Sequence, residues 1–313
     1  MTDIREINQI ETLASYRDAW QSLWNETPRA SFFQTLPWLE TLWRYFGATQ
    51  KLRTLLVFQN GRLTGIVPLV VTREMTKVGA VRTLTYPLSC WGSFYGPIGP
   101  DSRATLSAAF DYLRTSPRDW ELVEPRWVWP EDGSPDMVQQ AMTTAGMHPC
   151  QTVFDRTAVI DFEGNWADYL GTRSPGRRSQ LRRLEHQAAS LGHDCRLVRY
   201  RPLGTAQGDD SPRWELYDSC ETIARLSWQG ASNTGTTLSH EAIRPFLRAA
   251  HVVAAQSGML DLNLLYFRDQ PAAFAYNYRW GSSVYGLRMG YLPQFKHNGV
   301  GTLLLAEMIR DSF

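Results

Sequence analysis

The chain closes on GYLPQFKHNGVGTLLLAEMIRDSF, residues Gly290 to Phe313. A tyrosine, a proline and a basic turn lead into Gly299-Val300-Gly301, and apolar residues at helical spacing follow. A strand that passes through glycines into a helix leaves the first N–H groups of that helix free. The helix dipole adds partial positive charge at the same end. Gly299 and Gly301 remove side chains there, and Lys296 adds charge beside His297. Glycines before a helix also simply permit a turn, so the sequence upstream has to decide between the two readings.

Three β-rich runs arrive just before this motif: MLDLNLLYFR (259–268), QPAAFAYNYRW (270–280) and SSVYGLRMGYL (282–292). Their connectors, Asp269-Gln270 and Gly281-Ser282, are short enough for antiparallel hairpins. Further upstream lie a strand CRLVRYRP (195–202) and two helices, RWELYDSCETIARLS (213–227) and SHEAIRPFLRAAHVVAAQSG (239–258). The second of these has Ser239 as its expected N-cap and Gly258 at its end. TAVIDF (157–162) reads as a short strand. Residues 165–192 read as helix on either side of a break at Ser174-Pro175-Gly176.

The first half echoes this order. Two helices come first, ETLASYRDAWQSLWNE (11–26) and LPWLETLWRYFG (36–47). A hairpin follows across Asn60-Gly61, a strong type I′ signal. Then come a strand in 81–86, a Gly/Pro-rich loop, a helix in 107–117 and a strand in WELVEPRWVWP (120–130). The expected architecture is α+β, two lobes that each carry a mostly antiparallel mixed sheet flanked by helices. The expected linker lies near Trp129 to Met147, where WPEDGSPD (129–136) is polar and turn-like, dividing the chain into 1–147 and 148–313.

Three antiparallel strands, a basic Gly-x-Gly loop and an apolar helix resemble the acyl-CoA-binding core of the GNAT N-acyltransferase superfamily. Residues 161–313 are similar in more detail to the BioF2-like or CelD-type members, which are two-lobed and related in plan to FemAB peptidyltransferases. The detail lies in GRRSQLRRLEHQAASLG, RLSWQG and the three-strand run. The family loop is Gln/Arg-x-x-Gly-x-Gly/Ala; here lysine stands first, keeping charge but not the planar fork. The resemblance implies that backbone amides in Gln294, Lys296, His297, Asn298, Gly299, Val300, Gly301 and Thr302 hold the CoA diphosphate. It further implies that Leu287, Arg288 and Met289 pair with the pantetheine arm of an acyl-CoA co-substrate, Gly290 easing the bend. The first lobe, which lacks such a loop, would be a degenerate copy.

Acyl transfer from a thioester to an amine needs a positioned acceptor, donors at the carbonyl oxygen and a proton for the thiolate. Tyr285 and Tyr291 flank the third strand and are candidate acids, although strand tyrosines commonly only pack. Asp261 could accept the amine proton or sit at a solvated edge. Trp228 could stack on an acceptor or plug the core between two helices. His251 and His186 read as surface or boundary residues of helices.

Arg173, Arg177, Arg178, Arg182 and Arg183 give one helix a basic face beside an apolar one through Leu181 and Leu184. A solvated surface is the plain reading. An anionic ligand (CoA phosphates, an anionic acceptor, or tRNA) is the functional one. The run lacks interleaved aromatics and the net charge is only +1, so DNA binding is not indicated.

The four cysteines are scattered with no CxxC, giving neither a disulfide framework nor a metal site. Charges throughout the N-terminus exclude a signal peptide, and no apolar run is long enough for a membrane span, so the expectation is a cytoplasmic protein. The leading expectation is a CoA-dependent N-acyltransferase acting on a small-molecule, sugar or lipid amine. The alternatives are an aminoacyl-tRNA-dependent peptidyl transferase, or a non-catalytic accessory protein of envelope or polysaccharide synthesis.

Overall fold

A computed structural model describes the 313-residue chain except residues 78, 88–90, 93, 127, 129–133, 154–155, 191–194, 233 and 235. The chain forms two compact units, Met1–Arg156 and Thr157–Phe313, so residues 148–156 lie with the first. Part of the expected linker, Trp129 to Gly133, falls outside the described residues, and the stretch after it is a helix, Ser134–Thr144.

The first unit is a five-stranded sheet in the order β1 (Thr2–Ile7), β2 (Gln50–Gln59), β3 (Arg62–Thr76), β4 (Gly79–Thr85) and β5 (Leu122–Val123). All neighbours are antiparallel except β4–β5. Asn60 and Gly61 both take positive φ, as a type I′ turn requires. Around the sheet run α1 (Arg17–Glu26), α2 (Leu36–Phe46), α3 (Ser102–Thr115) and α4 (Ser134–Thr144). Trp20, Trp24 and Trp38 are fully buried. Their indole N–H groups donate to Gln34 O, Ser31 O and the Tyr95 hydroxyl, so the aromatic core leaves none of these three donors unpaired.

Two expectations for this unit need correcting. The charged N-terminus forms β1, an edge strand whose partly exposed residues hide the alternation. The strand expected over 120–130 is only the two residues of β5.

The second unit carries α5 (Trp166–Gly171) and α6 (Pro175–Ser190), divided at the expected break. Its sheet runs β6 (Cys195–Tyr200), β7 (Leu260–Phe267), β8 (Gln270–Trp280) and β9 (Ser283–Tyr291), antiparallel throughout. Between β6 and β7 lie α7 (Trp214–Leu226) and α8 (Arg244–Gln256); α9 (Val300–Arg310) follows β9. Residues 157–162 form no strand. Helix α8 begins at Arg244 rather than near Ser239, because Pro245 fits only a first helical turn.

The period-2 alternation of β7 and β8 sorts their side chains onto two faces. Leu265, Phe267, Ala273 and Ala275 pack with Val300, Leu303 and Leu304 of α9 and Leu184 of α6. Each fully buried leucine there contributes about 1.5–3 kcal/mol. On the opposite face Tyr276 meets Tyr217 of α7 and His251 of α8.

Candidate active site

Strand β9 is the edge of its sheet, and its pairing with β8 is broken at one point. Tyr276 lies opposite Arg288 and Asn277 opposite Gly286, so Leu287 is an extra residue, a β-bulge. Beyond it the ladder resumes through Met289, Gly290 and Tyr291, and a short 3-10 turn (Pro293–Asn298) leads to Gly299 and α9. The open edge, the bulge and the glycine turn therefore lie within fifteen consecutive residues, 287–301.

Gly299 takes φ +63, a conformation that favours glycine, and serves as N-cap of α9. A Cβ there would stand 2.5 Å from Leu184 Cδ2, and one on Gly301 would stand 3.2 Å from Tyr291 Cδ1. The space the glycines leave is thus taken by protein side chains, not held open. What remains available is backbone: among the described residues, no acceptor lies on the N–H of Val300 or Gly301. Thr302 and Leu303 already donate to Gly299 O. Gln294, Lys296 and His297 are exposed, and Asn298 is half-buried. A cavity of about 440 Å³ borders this turn, lined by Phe267, Arg268, Gln270, Gln294, Phe295 and Asn298.

The two candidate tyrosines are not brought together. Tyr285 is paired with Tyr278 and so shares the α7–α8 face. Tyr291 is paired with Ala273 and lies on the α9 face. Arg288 is half-buried, its guanidinium donating to Thr236 O and to Leu287 O. Met289 is 43% exposed on the α9 face.

Asp261 is neither a solvated edge residue nor close to β9. It is fully buried in β7. Oδ1 accepts from Arg199 Nε (3.0 Å) and Arg201 Nε (2.6 Å), and Oδ2 from Asn263 (3.1 Å) and Asn277 (2.9 Å). With four donors on two oxygens it has no capacity left for a substrate proton. Trp228 is 73% exposed, which removes the core-plug reading.

His251 is likewise not a surface residue. It is fully buried, with Nε2 2.5 Å from Pro212 O and Nδ1 3.2 Å from the Tyr276 hydroxyl. A carbonyl only accepts, so Nε2 carries the proton and Nδ1 accepts from Tyr276. Burial pushes its pKa down to about 4, a shift the Pro212 bond opposes.

Sequence reasoning missed Gln229, the neighbour of Trp228. It is 5% exposed and its Nε2 donates to Met289 O at 2.6 Å. The signal available was Gly230, which marks a close backbone approach.

The basic helix α6 packs Leu184 and Leu181 inward, and Leu184 meets Gly299. Arg182 and Arg183 are exposed, and among the described residues no carboxylate pairs with Arg177, Arg182 or Arg183. Glu185 is taken by Arg310. No group of three or more metal-ligating side chains occurs, and no helix is long and apolar enough to cross a membrane, among the described residues.

Residues 175–313 match the family model of the acetyltransferase (GNAT) domain. The crystal structure of FemX aligns with a TM-score of 0.58 at 12% identity, over 99% of this chain and 85% of that one. A tandem GNAT protein from the clavulanic acid biosynthesis pathway aligns with a TM-score of 0.42 at 12% identity, over 100% and 87%. A conserved protein of unknown function from Bacteroides thetaiotaomicron aligns at 0.44 and 11% identity, over 99% and 86%. No curated protein matches the sequence. Residues 175–313 thus match the GNAT acetyltransferase domain, and the chain as a whole has a two-lobed fold similar to that of FemX.

Proposed function

We propose that this protein transfers an acyl group from acyl-CoA to the amine of a small-molecule, sugar or lipid acceptor. The observation that carries the reading is the bulged open edge of β9, which runs within fifteen residues into the amide-presenting start of α9. Leu287, Arg288 and Met289 would lie along the pantetheine arm. Lys296, His297, Asn298 and the N–H groups of Val300 and Gly301, flanked by Gly299 and Thr302, would meet the diphosphate, with Gln294 at the rim.

The residues present fit such a co-substrate in two respects: the N–H groups of Val300 and Gly301 have no acceptor among the described residues, and exposed Lys296 supplies charge. Transfer forms a C–N bond and breaks the C–S bond; the amine gives up a proton and the departing thiolate gains one. Tyr285 and Tyr291, on opposite faces of β9, are the proposed proton donors, with Tyr291 the nearer to α9 through its contact with Gly301. Exposed Trp228 is proposed to contact the acceptor. Asp261, in this reading, orders the sheet.

Isothermal titration with acetyl-CoA and longer acyl-CoAs tests the proposal. Micromolar binding that Gly301→Asp abolishes is expected, because a carboxylate on the first turn of α9 would repel the diphosphate at the proposed seat. Heat from none of the thioesters, or unaltered binding by that variant, overturns it.

A second reading is favoured by Arg177, Arg182 and Arg183 of α6, which meet no carboxylate among the described residues, and by the FemX-like fold: the donor is an aminoacyl-tRNA. Binding of tRNA that weakens steeply with salt, without acyl-CoA binding, is its expected signature.

A further inference from the structure

Gln229 is a buried polar group that the local sequence positions firmly and the reaction above leaves unused. Ser227 ends α7 in an extended conformation; its Oγ accepts from Gln229 N–H (3.2 Å) and donates to Ala224 O (2.9 Å). Gly230 then passes so close to the Arg225 carbonyl that no Cβ would fit. In a turn pinned at both ends, Trp228 faces outward and Gln229 inward.

The Gln229 carboxamide crosses to the outer edge of β9. Its Nε2 donates to Met289 O, and its Oε1 is buried with no partner among the described residues. Turning the amide over would set Oε1 against the Met289 oxygen, two acceptors facing each other, so the orientation is fixed by chemistry. A buried acceptor left without a donor is costly and uncommon. Because the Met289 carbonyl points away from β8, the Met289 N–H does so too, as in any non-hydrogen-bonded pair of an antiparallel ladder.

We propose that Gln229 is a positioning residue for the acyl donor, its Oε1 accepting the N–H of the amide nearest the sulfur of a pantetheine-type thioester. This rests on the acyl-CoA reading above. Pairing with an open strand edge would ordinarily offer that N–H a main-chain carbonyl. Here the Met289 carbonyl already accepts from Gln229 Nε2. The carboxamide therefore supplies an acceptor in exchange, displaced toward the α7 side of the edge. The spacing agrees: from Met289 back to the bulge at Leu287 is two residues, roughly 6.5 Å of strand. Four covalent bonds, from amide nitrogen through two methylenes and sulfur to the thioester carbon, span a comparable length. A donor amide held at Gln229 thus sets its reactive carbon beside the bulge.

The test uses the full chain. Gln229→Met keeps the length of the side chain and removes both polar atoms. It should bind acetyl-CoA about tenfold more weakly by titration calorimetry, as loss of one hydrogen bond predicts. A second readout separates donor positioning from a role in holding the turn. S-acetyl-N-acetylcysteamine and 2-(acetylthio)ethyl acetate share a thioester and differ in carrying an amide or an ester at the position in question. As displacers of acetyl-CoA, the amide compound should be about tenfold better with the native chain, and the two should be equal with Gln229→Met. Acetyl-CoA binding that does not distinguish the two compounds overturns this inference and leaves the acyl-CoA reading intact. No acetyl-CoA binding by the native chain removes that reading and this inference with it. If Gln229→Met does not fold, the preference of the native chain decides alone.

Discussion

In the first lobe Glu6 of β1 reaches Arg53 of β2; in the second, Arg199 of β6 reaches Asp261 of β7. The positions correspond. Glu6 is paired with Leu55 and Arg53 lies two residues before it, while Arg199 is paired with Asn263 and Asp261 lies two residues before that. The acid and base have exchanged strands. Each cluster has a second partner, Asp119 on Arg53 and Arg201 on Asp261. Burial pushes the Glu6 carboxyl up, but hydrogen bonds from Arg53, Asn8 and Tyr112 outweigh it and leave its pKa lowered. A site that keeps a buried ion pair through a reversal of sign is serving the sheet, since a proton acceptor could not become an arginine and keep its role.

The edges of the two sheets differ in the other direction. Strand β4 stays in unbroken register with β3 and is covered by β5, parallel, at Thr83 and Leu84. Strand β9 carries the Leu287 bulge and, among the described residues, no strand on its far side. Where the lobes agree, the fold explains the residues. Where they part, at the last strand and its exit into a helix, the second lobe shows, among the described residues, the bulge and the free helix-start amides on which the proposed donor site rests.

The sharpest way to break the first half of this comparison is Asp261→Asn. It leaves Arg199 and Arg201 without their buried carboxylate and should cost about 3–5 kcal/mol of unfolding free energy in urea, with Arg53→Met in the first lobe costing a similar amount. A folded Asp261→Asn chain of native stability that had lost acyl transfer would return Asp261 to the chemistry and dissolve the correspondence.

His251 has no buried counterpart among the described histidines of the first lobe and gives the second its own pH dependence. Its folded pKa of about 4 lies below the unfolded value of 6.5, so the unfolded chain binds the extra proton between them. The contribution is fully present above pH 6.5 and is lost as pH falls toward 4, by about 3 kcal/mol in all. Asp218, Glu221 and Arg248 surround the same helices and also contribute charge. The slope should therefore be read as the difference between the native chain and His251→Gln in denaturant melts from pH 7 to 4.

Gly299 and Gly301 differ more than their shared motif suggests. Gly299→Ala must hold φ +63 and displace Leu184, so a loss of about 2 kcal/mol is expected, smaller when combined with Leu184→Ala. Gly301→Ala meets only Tyr291 Cδ1 at 3.2 Å and gains helix propensity, so its melting temperature should stay close to native. Equal losses at the two positions would mean that Leu184 does not seal the turn.

Much of this is legible in the sequence. Three closely spaced strands and a Gly-x-Gly helix start define the second sheet and its exit by local pattern alone, and Asn60-Gly61 fixes the first hairpin. What pattern could not reach were residues whose surroundings come from far along the chain. Asp261 looks like an alternating edge residue until β6 brings Arg199, and the sequence separation hides the pair. His251 sits on a helix face that could be solvated until Tyr276 and Pro212 cover it. Gln229 is one polar letter in a short turn, and its direction depends on Gly230 passing the Arg225 carbonyl. The bulge at Leu287 leaves no composition signal of its own, because a leucine fits a regular strand as readily as a bulge.

Trp228 gives the smallest expected effect on stability and the finest test of where the site's wall lies. An indole that is 73% exposed contributes little burial, so Trp228→Ala should change unfolding free energy by less than about 0.5 kcal/mol. It should also leave acetyl-CoA affinity unaltered, since Gln229, not Trp228, points at β9. If the indole stacks on the acceptor, the variant should raise the acceptor KM several-fold with kcat little altered, the mark of binding lost equally from ground and transition states. A drop in acetyl-CoA affinity instead would mean that removing Trp228 lets Gln229 leave the β9 edge. That outcome would join the two residues of the turn into one donor-side element, with no acceptor role for either.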